Sequence, residues 1–177
     1  MSDIIKTQRS LALKATHNPT HKFDHLYRLI CQEEWIHKAL SLVLSNKGAR
    51  TAGIDGATRA TYDSPEAYIA LIREIQQELR EKRFRPVPVR RVQIPKANGK
   101  KRPLGIATID DRIVQEALRM ILEPIWEADF SIHSYGFRPN RSTYDAISNI
   151  QTRLTGNGWT YQWIIEGDIA SYLDRAS

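Results

Sequence analysis

The sequence predicts an α+β fold. Three observations carry that expectation. Apolar residues recur at helical spacing over two stretches before residue 83 and over a third after residue 108. Between residues 87 and 107 the period drops to two around an Asn-Gly turn. A largely apolar run over residues 159–169 then reads as a buried strand close to the end of the chain.

The elements follow in order. Residues 1–20 are polar and contain Pro19, which predicts a flexible N-terminus without a long helix. From Lys22 to Asn46, Phe23, Leu26, Ile30, Ile36, Leu40 and Leu44 mark one helical face, and Asn46 and Gly48 supply the stop. Gly53-Ile54-Asp55-Gly56 is too short for a phosphate loop and reads as a turn. Ser64 as N-cap and Pro65 at the first helical position open a helix to about Lys82, with Tyr68, Leu71, Ile72, Ile75 and Leu79 on one face.

Pro86 and Pro88 end that pattern. Val87, Val89, Val92 and Ile94 make one strand and Arg102 to Ala107 another. Asn98-Gly99 between them tolerates the positive φ of a tight hairpin turn. Thr108 starts an amphipathic helix carrying Ile113, Val114, Ala117, Leu118, Ile121, Leu122 and Ile125. A loop over residues 134–141 leads into Ser142-Thr143-Tyr144-Asp145, which resembles a capping box and opens a helix to about Leu154. Gly156-Asn157-Gly158 turns the chain into the last strand.

Charge is concentrated rather than spread. Between Arg80 and Arg102 stand ten lysines and arginines against the single acid Glu81, a formal +9 in a chain whose net charge is +6. That density, centred on a hairpin, points to a polyanion: nucleic acid, or the phosphates of a nucleotide. At 177 residues with 41% hydrophobic content the chain is one domain, or a domain with a helical arm. The single cysteine, Cys31, excludes an internal disulfide and a thiolate cluster, so a reducing compartment fits. No apolar run approaches the roughly 20 residues of a membrane span, and residues 1–10 lack a secretory pattern. A soluble intracellular chain, cytoplasmic in the bacterial sense or organellar, with no membrane partner is expected.

Several side chains are candidates for chemistry. Asp168 sits at the exit of the last strand, where it is either a Mg²⁺ ligand or a helix N-cap. Arg138 and Arg141, near Tyr135 and Phe137, suit phosphate contact and base stacking, or belong to a solvated loop anchored by its aromatics. Lys100, Lys101 and Arg102 form a phosphate clamp or a charged edge that deters aggregation; ten bases against one acid favour the clamp. His17, His21 and His25 are spaced by four but lack an acidic partner cluster, and Cys31 reads as core.

Four blocks in order carry a resemblance: GIDG at 53–56, VRRVQIPKANGKKRPLGIATIDDRIVQEAL, SYGFRPNRSTYDAI and WIIEGDIASYLD. Together they resemble the amino-terminal part of group II intron reverse transcriptases, also called maturases, over residues 23–174. The resemblance implies a helical N-terminal extension plus the fingers and a partial palm of a reverse-transcriptase-like right-hand polymerase. Its divisions would be a flexible 1–20, an RNA- or template-binding extension at 21–85, fingers at 86–158, and a truncated start of the palm at 159–177.

The implied roles follow position by position. Lys100, Lys101 and Arg102 would lie near the triphosphate of the incoming dNTP, with Arg138 and Arg141 beside nucleotide and template. Arg90, Arg91 and Lys96 would hold RNA. Asp168 would be the first catalytic aspartate and, with the backbone carbonyl of Ile169, a ligand of Mg²⁺ in a two-metal site. The implied partners are template or intron RNA, a DNA primer and dNTP.

Two departures stand in the sequence. It contains no Tyr-x-Asp-Asp turn to supply further carboxylates, and Leu173 occupies a position where the family usually has an aromatic gate. The chain alone is therefore expected to be inactive as a polymerase. A non-catalytic RNA-binding module, or a remnant whose Ile164 and Ile165 lack sheet partners, are the rival readings.

Overall fold

A computed structural model describes residues 2–97, 99–155, 163–167 and 169. The chain divides into two compact units, Met1–Asp129 and Phe130–Ser177.

The first unit is built on helices. Helix α1 spans Ser2–His17, α2 Tyr27–Ile30, α3 Glu33–Ser45, α4 Pro65–Arg80 and α5 Ile109–Trp126, with short 3₁₀ turns at Lys47–Arg50 and Arg59–Tyr62. Helix α3 packs on α4 and α5, and α1 packs on α5. Between them Trp35, Ile36, Leu40, Ile75, Ile109, Ile113 and Ile121 are sealed from solvent. Burying each such side chain contributes about 1.5–3 kcal/mol relative to exposure.

The N-terminus departs from the flexible segment expected. Residues Ile4, Leu11 and Ala15 share one face of α1 and are buried. Gln8, on the same face, donates from Nε2 to the carbonyl of Met120 at 2.8 Å. That carbonyl would ordinarily receive the N–H of the residue four positions on, but position 124 is proline, inside α5. Gln8 replaces the donor that Pro124 lacks. Pro19 lies beyond the end of α1, where it ends the helix without preventing it.

The helix expected over 22–46 is divided. His25 adopts a left-handed φ of 62°, and Gln32 is extended at φ −85°, ψ 135°, which separates α2 from α3. Helix α4 begins as expected: Ser64 Oγ accepts the N–H of Ala67 at 3.1 Å, and Pro65 follows it. It closes with Lys82 at φ 56°, in the left-handed place usually taken by glycine, and with Arg83 N–H donating to the Glu78 carbonyl at 2.8 Å.

The sheet among the described residues is one antiparallel pair, β1 Arg90–Pro95 and β2 Lys101–Ile106. Its register runs from Arg90 opposite Ile106 to Pro95 opposite Lys101. At the turn, Lys96 N–H donates to the Lys100 carbonyl and Gly99 N–H to the Lys96 carbonyl. Gly99 takes φ 77°, the conformation that its lack of a Cβ permits. Val87 and Val89, expected within the first strand, precede it and are exposed.

In the second unit, α6 spans Thr143–Thr155. Its N-terminus is the expected box: Ser142 N–H donates to Asp145 Oδ2 at 2.8 Å, and Asp145 N–H donates to Ser142 Oγ at 3.2 Å. The Ser142 bonds hold the Asp145 carboxyl below the ordinary aspartate range. The strand expected over 159–169 is not found in its described part. Residues 163–167 and Ile169 have no regular structure. Ile164 and Ile165 are 78% and 97% exposed, with no ladder among the described residues to pair them.

Candidate nucleic-acid interface

The β1–β2 hairpin presents the cations. Residues directly opposite in an antiparallel pair share a face, and neighbours along a strand alternate. One face carries Arg90, Val92 and Ile94 with Arg102, Leu104 and Ile106; the other carries Arg91, Gln93 and Pro95 with Lys101, Pro103 and Gly105. Val92, Ile94 and Ile106 are half-buried, so the first face is turned toward the unit's own residues. Lys101 and Arg102 are therefore on opposite faces, and a polyanion lying along the hairpin edge meets both.

Lys96, Lys100, Lys101 and Arg102 gather at the tip. Arg90 and Arg91 stand at the base, about 17 Å away at 3.4 Å per residue. All six of these cations are exposed. Arg90 has one donor engaged, Nε to the Ala52 carbonyl at 3.0 Å.

The base is tied down by the first turn of α5. Thr108 caps that helix, accepting the N–H of Asp111 at 3.2 Å, while its hydroxyl donates to Asp111 Oδ2 at 3.0 Å. The same carboxylate oxygen accepts the N–H of Val87 at 3.3 Å. Asp111 is 5% exposed. It meets both the chain entering β1 and the chain leaving β2.

Arg112, the next residue, donates from Nε and Nη2 to the Ala107 carbonyl at 2.9 and 2.7 Å. Its Nη1 reaches the Gly48 carbonyl at 2.8 Å, and its Nη2 also reaches that of Thr51 at 2.9 Å. Asp110 sits beside Tyr62, whose hydroxyl lies 3.4 Å from Oδ1. Burial, then the charges of Glu74 and Asp55, push the Asp110 carboxyl up to about 6. Burial and the Asp110 charge likewise push the Tyr62 phenol up to about 12. Asp111 and Arg112 thus serve the hairpin base and the helix start, while Asp110 faces Tyr62.

The GIDG turn abuts this base. A Cβ on Gly53 would stand 2.8 Å from both the Cα and the N of Thr108, which are backbone atoms with no freedom to yield. Gly56 turns at φ 78°, and Asp55 Oδ1 accepts the N–H of Ala57 at 3.2 Å.

In the second unit, the loop arginines organise their own loop. Arg138 Nη1 donates to the carbonyls of Ser131 and Ser134 at 2.7 and 2.8 Å, and its guanidinium lies over the Phe130 ring. Arg141 donates to the Ile132 carbonyl and lies over Tyr135. Phe137 takes φ 56° and its side chain is fully exposed. A non-glycine aromatic in that region is strained.

Asp168 lies outside the described residues, and Ile169 is exposed coil. Among the described residues no three His, Cys, Asp or Glu side chains converge where a metal ion would fit. No described helix is long and apolar enough to cross a membrane.

Comparison with known proteins gives the class. Residues 94–176 match the family model described as reverse transcriptase (RNA-dependent DNA polymerase). The match takes in the hairpin tip, α5, the Arg138 loop and Asp168. Over 172 residues the chain is 46% identical to Protein YkfC of Escherichia coli, covering 97% of this chain and 45% of that protein. It is 40% identical over 154 residues to the group II intron-encoded protein LtrA of Lactococcus lactis, 86% of this chain and 24% of that protein. Nuclear intron maturase 1, mitochondrial, of Arabidopsis thaliana is 45% identical over 65 residues, 37% of this chain and 9% of that protein.

The chain belongs to the reverse transcriptase family, whose members in general use a divalent metal, a nucleic-acid template and nucleotide substrates. Its branch is that of the group II intron-encoded reverse transcriptases and maturases. The chain spans a little under half the length of the Escherichia coli relative and about a quarter of the Lactococcus one.

Proposed function

We propose that this chain carries the helical extension and fingers of a group II intron-encoded RNA-directed DNA polymerase. In this reading its β1–β2 hairpin holds the template or intron RNA and the triphosphate of the incoming dNTP. The observation that carries it is the hairpin itself: six exposed cations on one two-stranded ribbon, four of them at a tip inside the matched residues 94–176.

Arg90, Arg91 and Lys96 neutralise RNA phosphates along the ribbon. Lys100, Lys101 and Arg102 meet the triphosphate from the tip, where Arg102 offers a planar fork and the lysines offer point charges. Arg138 and Arg141 bring two guanidinium groups to the nucleotide and template while fixing their loop through its carbonyls. Asp168, with the Ile169 carbonyl, is proposed to hold Mg²⁺. When bound, such ions activate the primer 3′-hydroxyl and neutralise the departing pyrophosphate.

The 177 residues hold one carboxylate of that motif and no Tyr-x-Asp-Asp turn. Binding without synthesis is therefore expected of this chain by itself. The test mixes the purified chain with an RNA template annealed to a DNA primer, reading binding by anisotropy and extension on a gel. Binding without extension supports the reading. Failure to bind overturns the interface, and Asp168-dependent extension overturns the division between binding and chemistry.

A further inference from the structure

Two neighbouring polar side chains in the first turn of α5, Asp111 and Arg112, converge on the hairpin base. Asp111 receives Val87 N–H, just before β1, and the hydroxyl of Thr108, just after β2. Arg112 binds the Ala107 carbonyl twice and ties it to the carbonyls of Gly48 and Thr51. From the other strand Arg90 reaches the Ala52 carbonyl. Gly53 closes the remaining space, with no room for a Cβ against Thr108. Both strands are thereby fixed to one segment, residues 48–53, whose Gly48 and Thr51 carbonyls are held by Arg112 of α5.

We propose that Asp111 and Arg112 are positioning residues that set the pose of the basic hairpin on its helical base, and that Gly53 is the abutment they hold it against. This rests on the proposed role of the hairpin in binding nucleic acid.

The physical argument is leverage. A two-stranded ribbon is marginal on its own, and this one carries its cations at a tip about 17 Å from its base. A small rotation at the base becomes a displacement of several ångströms at the tip, larger than a charge-assisted hydrogen bond tolerates. Arg112 suits the task because its planar fork satisfies three carbonyls from two separate segments at once. Lysine, with a single nitrogen, does not. The first glycine of GIDG is the surface against which the hairpin's exit is seated.

The test uses the full chain with Arg112→Gln, Arg112→Lys and Asp111→Asn, each alone and each combined with Lys96→Ala, the tip cation assigned to RNA. Two readouts are taken at a temperature where circular dichroism shows every variant folded. One is affinity for a primer–template duplex. The other is amide hydrogen exchange at Val92 and Leu104 in the hairpin and at Leu40 and Ile75 in the core.

Arg112→Gln is expected to speed exchange in the hairpin while leaving the core amides unchanged. It should weaken duplex binding about tenfold, the scale of one lost charge-assisted hydrogen bond, with Arg112→Lys between it and wild type. In the Lys96→Ala background it should cost less than in wild type, because the tip cation assigned to RNA is gone. Unchanged hairpin exchange, or an Arg112→Gln cost that adds in full to that of the tip, overturns the proposal. Should wild type fail to bind any duplex, the polymerase reading falls, while the exchange readout still decides whether the clasp holds the hairpin. If Arg112→Gln does not fold, Asp111→Asn carries both readouts.

Discussion

At the scale of single residues, the chain places its polar groups where the backbone leaves something unsatisfied. Asp110 is the exception: burial and the charges of Glu74 and Asp55 raise its carboxyl to about 6, well above the 3.8 of an ordinary aspartate. A carboxyl that holds its proton more tightly folded than unfolded contributes stability at low pH and loses it as pH rises between those two values. The chain with Asp110→Asn should therefore melt about 2 °C higher than wild type at pH 7 and no higher at pH 4, read by thermal denaturation at both. Gly53→Ala should act in the opposite direction, lowering stability by about 1–3 kcal/mol in a denaturant titration, because its Cβ strikes Thr108 backbone that has nowhere to go. The charged tip was legible in the sequence, since charge density needs no tertiary information. The clasp was not: Arg112 bonds to Gly48 and Thr51 across 64 and 61 residues of chain, and no local pattern reports an approach of that kind.

At the scale of elements, local signals served well where local chemistry decides. Ser64-Pro65, Thr108 and Ser142 each cap the helix expected of them, and Gly99 turns the hairpin. Signals failed where tertiary contact decides. The face made by Ile4, Leu11 and Ala15 is interrupted by Gln8, which read as polarity but answers a carbonyl of another helix. That pairing predicts a specific coupling. Gln8→Ala should cost about 1–3 kcal/mol in urea titrations by leaving the Met120 carbonyl unsatisfied. In a Pro124→Ala background, where the backbone N–H returns, the same change should cost markedly less. The division of the 22–46 helix at Gln32 likewise has no signature in apolar spacing, because the residues on either side keep nearly the same period. The final strand reads as buried from its apolar run, yet burial needs a neighbouring ladder. Residues 163–167 have none among the described residues.

At the scale of the whole molecule, charge and family membership point the same way. A formal +9 between Arg80 and Arg102 sits in a chain whose remaining residues carry sixteen bases against nineteen acids. Charge distributed that way favours a polyanion at the segment that carries it. The reverse transcriptase match begins at Ile94, inside β1, and runs through the tip, the Arg138 loop and Asp168. The account's central claim is that this hairpin grips nucleic acid through its phosphates. It is tested most directly by the affinity of the 177-residue chain for an RNA template–DNA primer duplex across a salt series, with and without Arg91→Ala plus Lys96→Ala, the two exposed cations assigned to RNA that make no part of the clasp. Each phosphate contact contributes roughly one unit to the slope of log affinity against log salt. The account predicts affinity that falls steeply with salt in wild type, and a slope shallower by about two in the double variant. Affinity that is insensitive to salt, or a slope that the two substitutions leave unchanged, would contradict it.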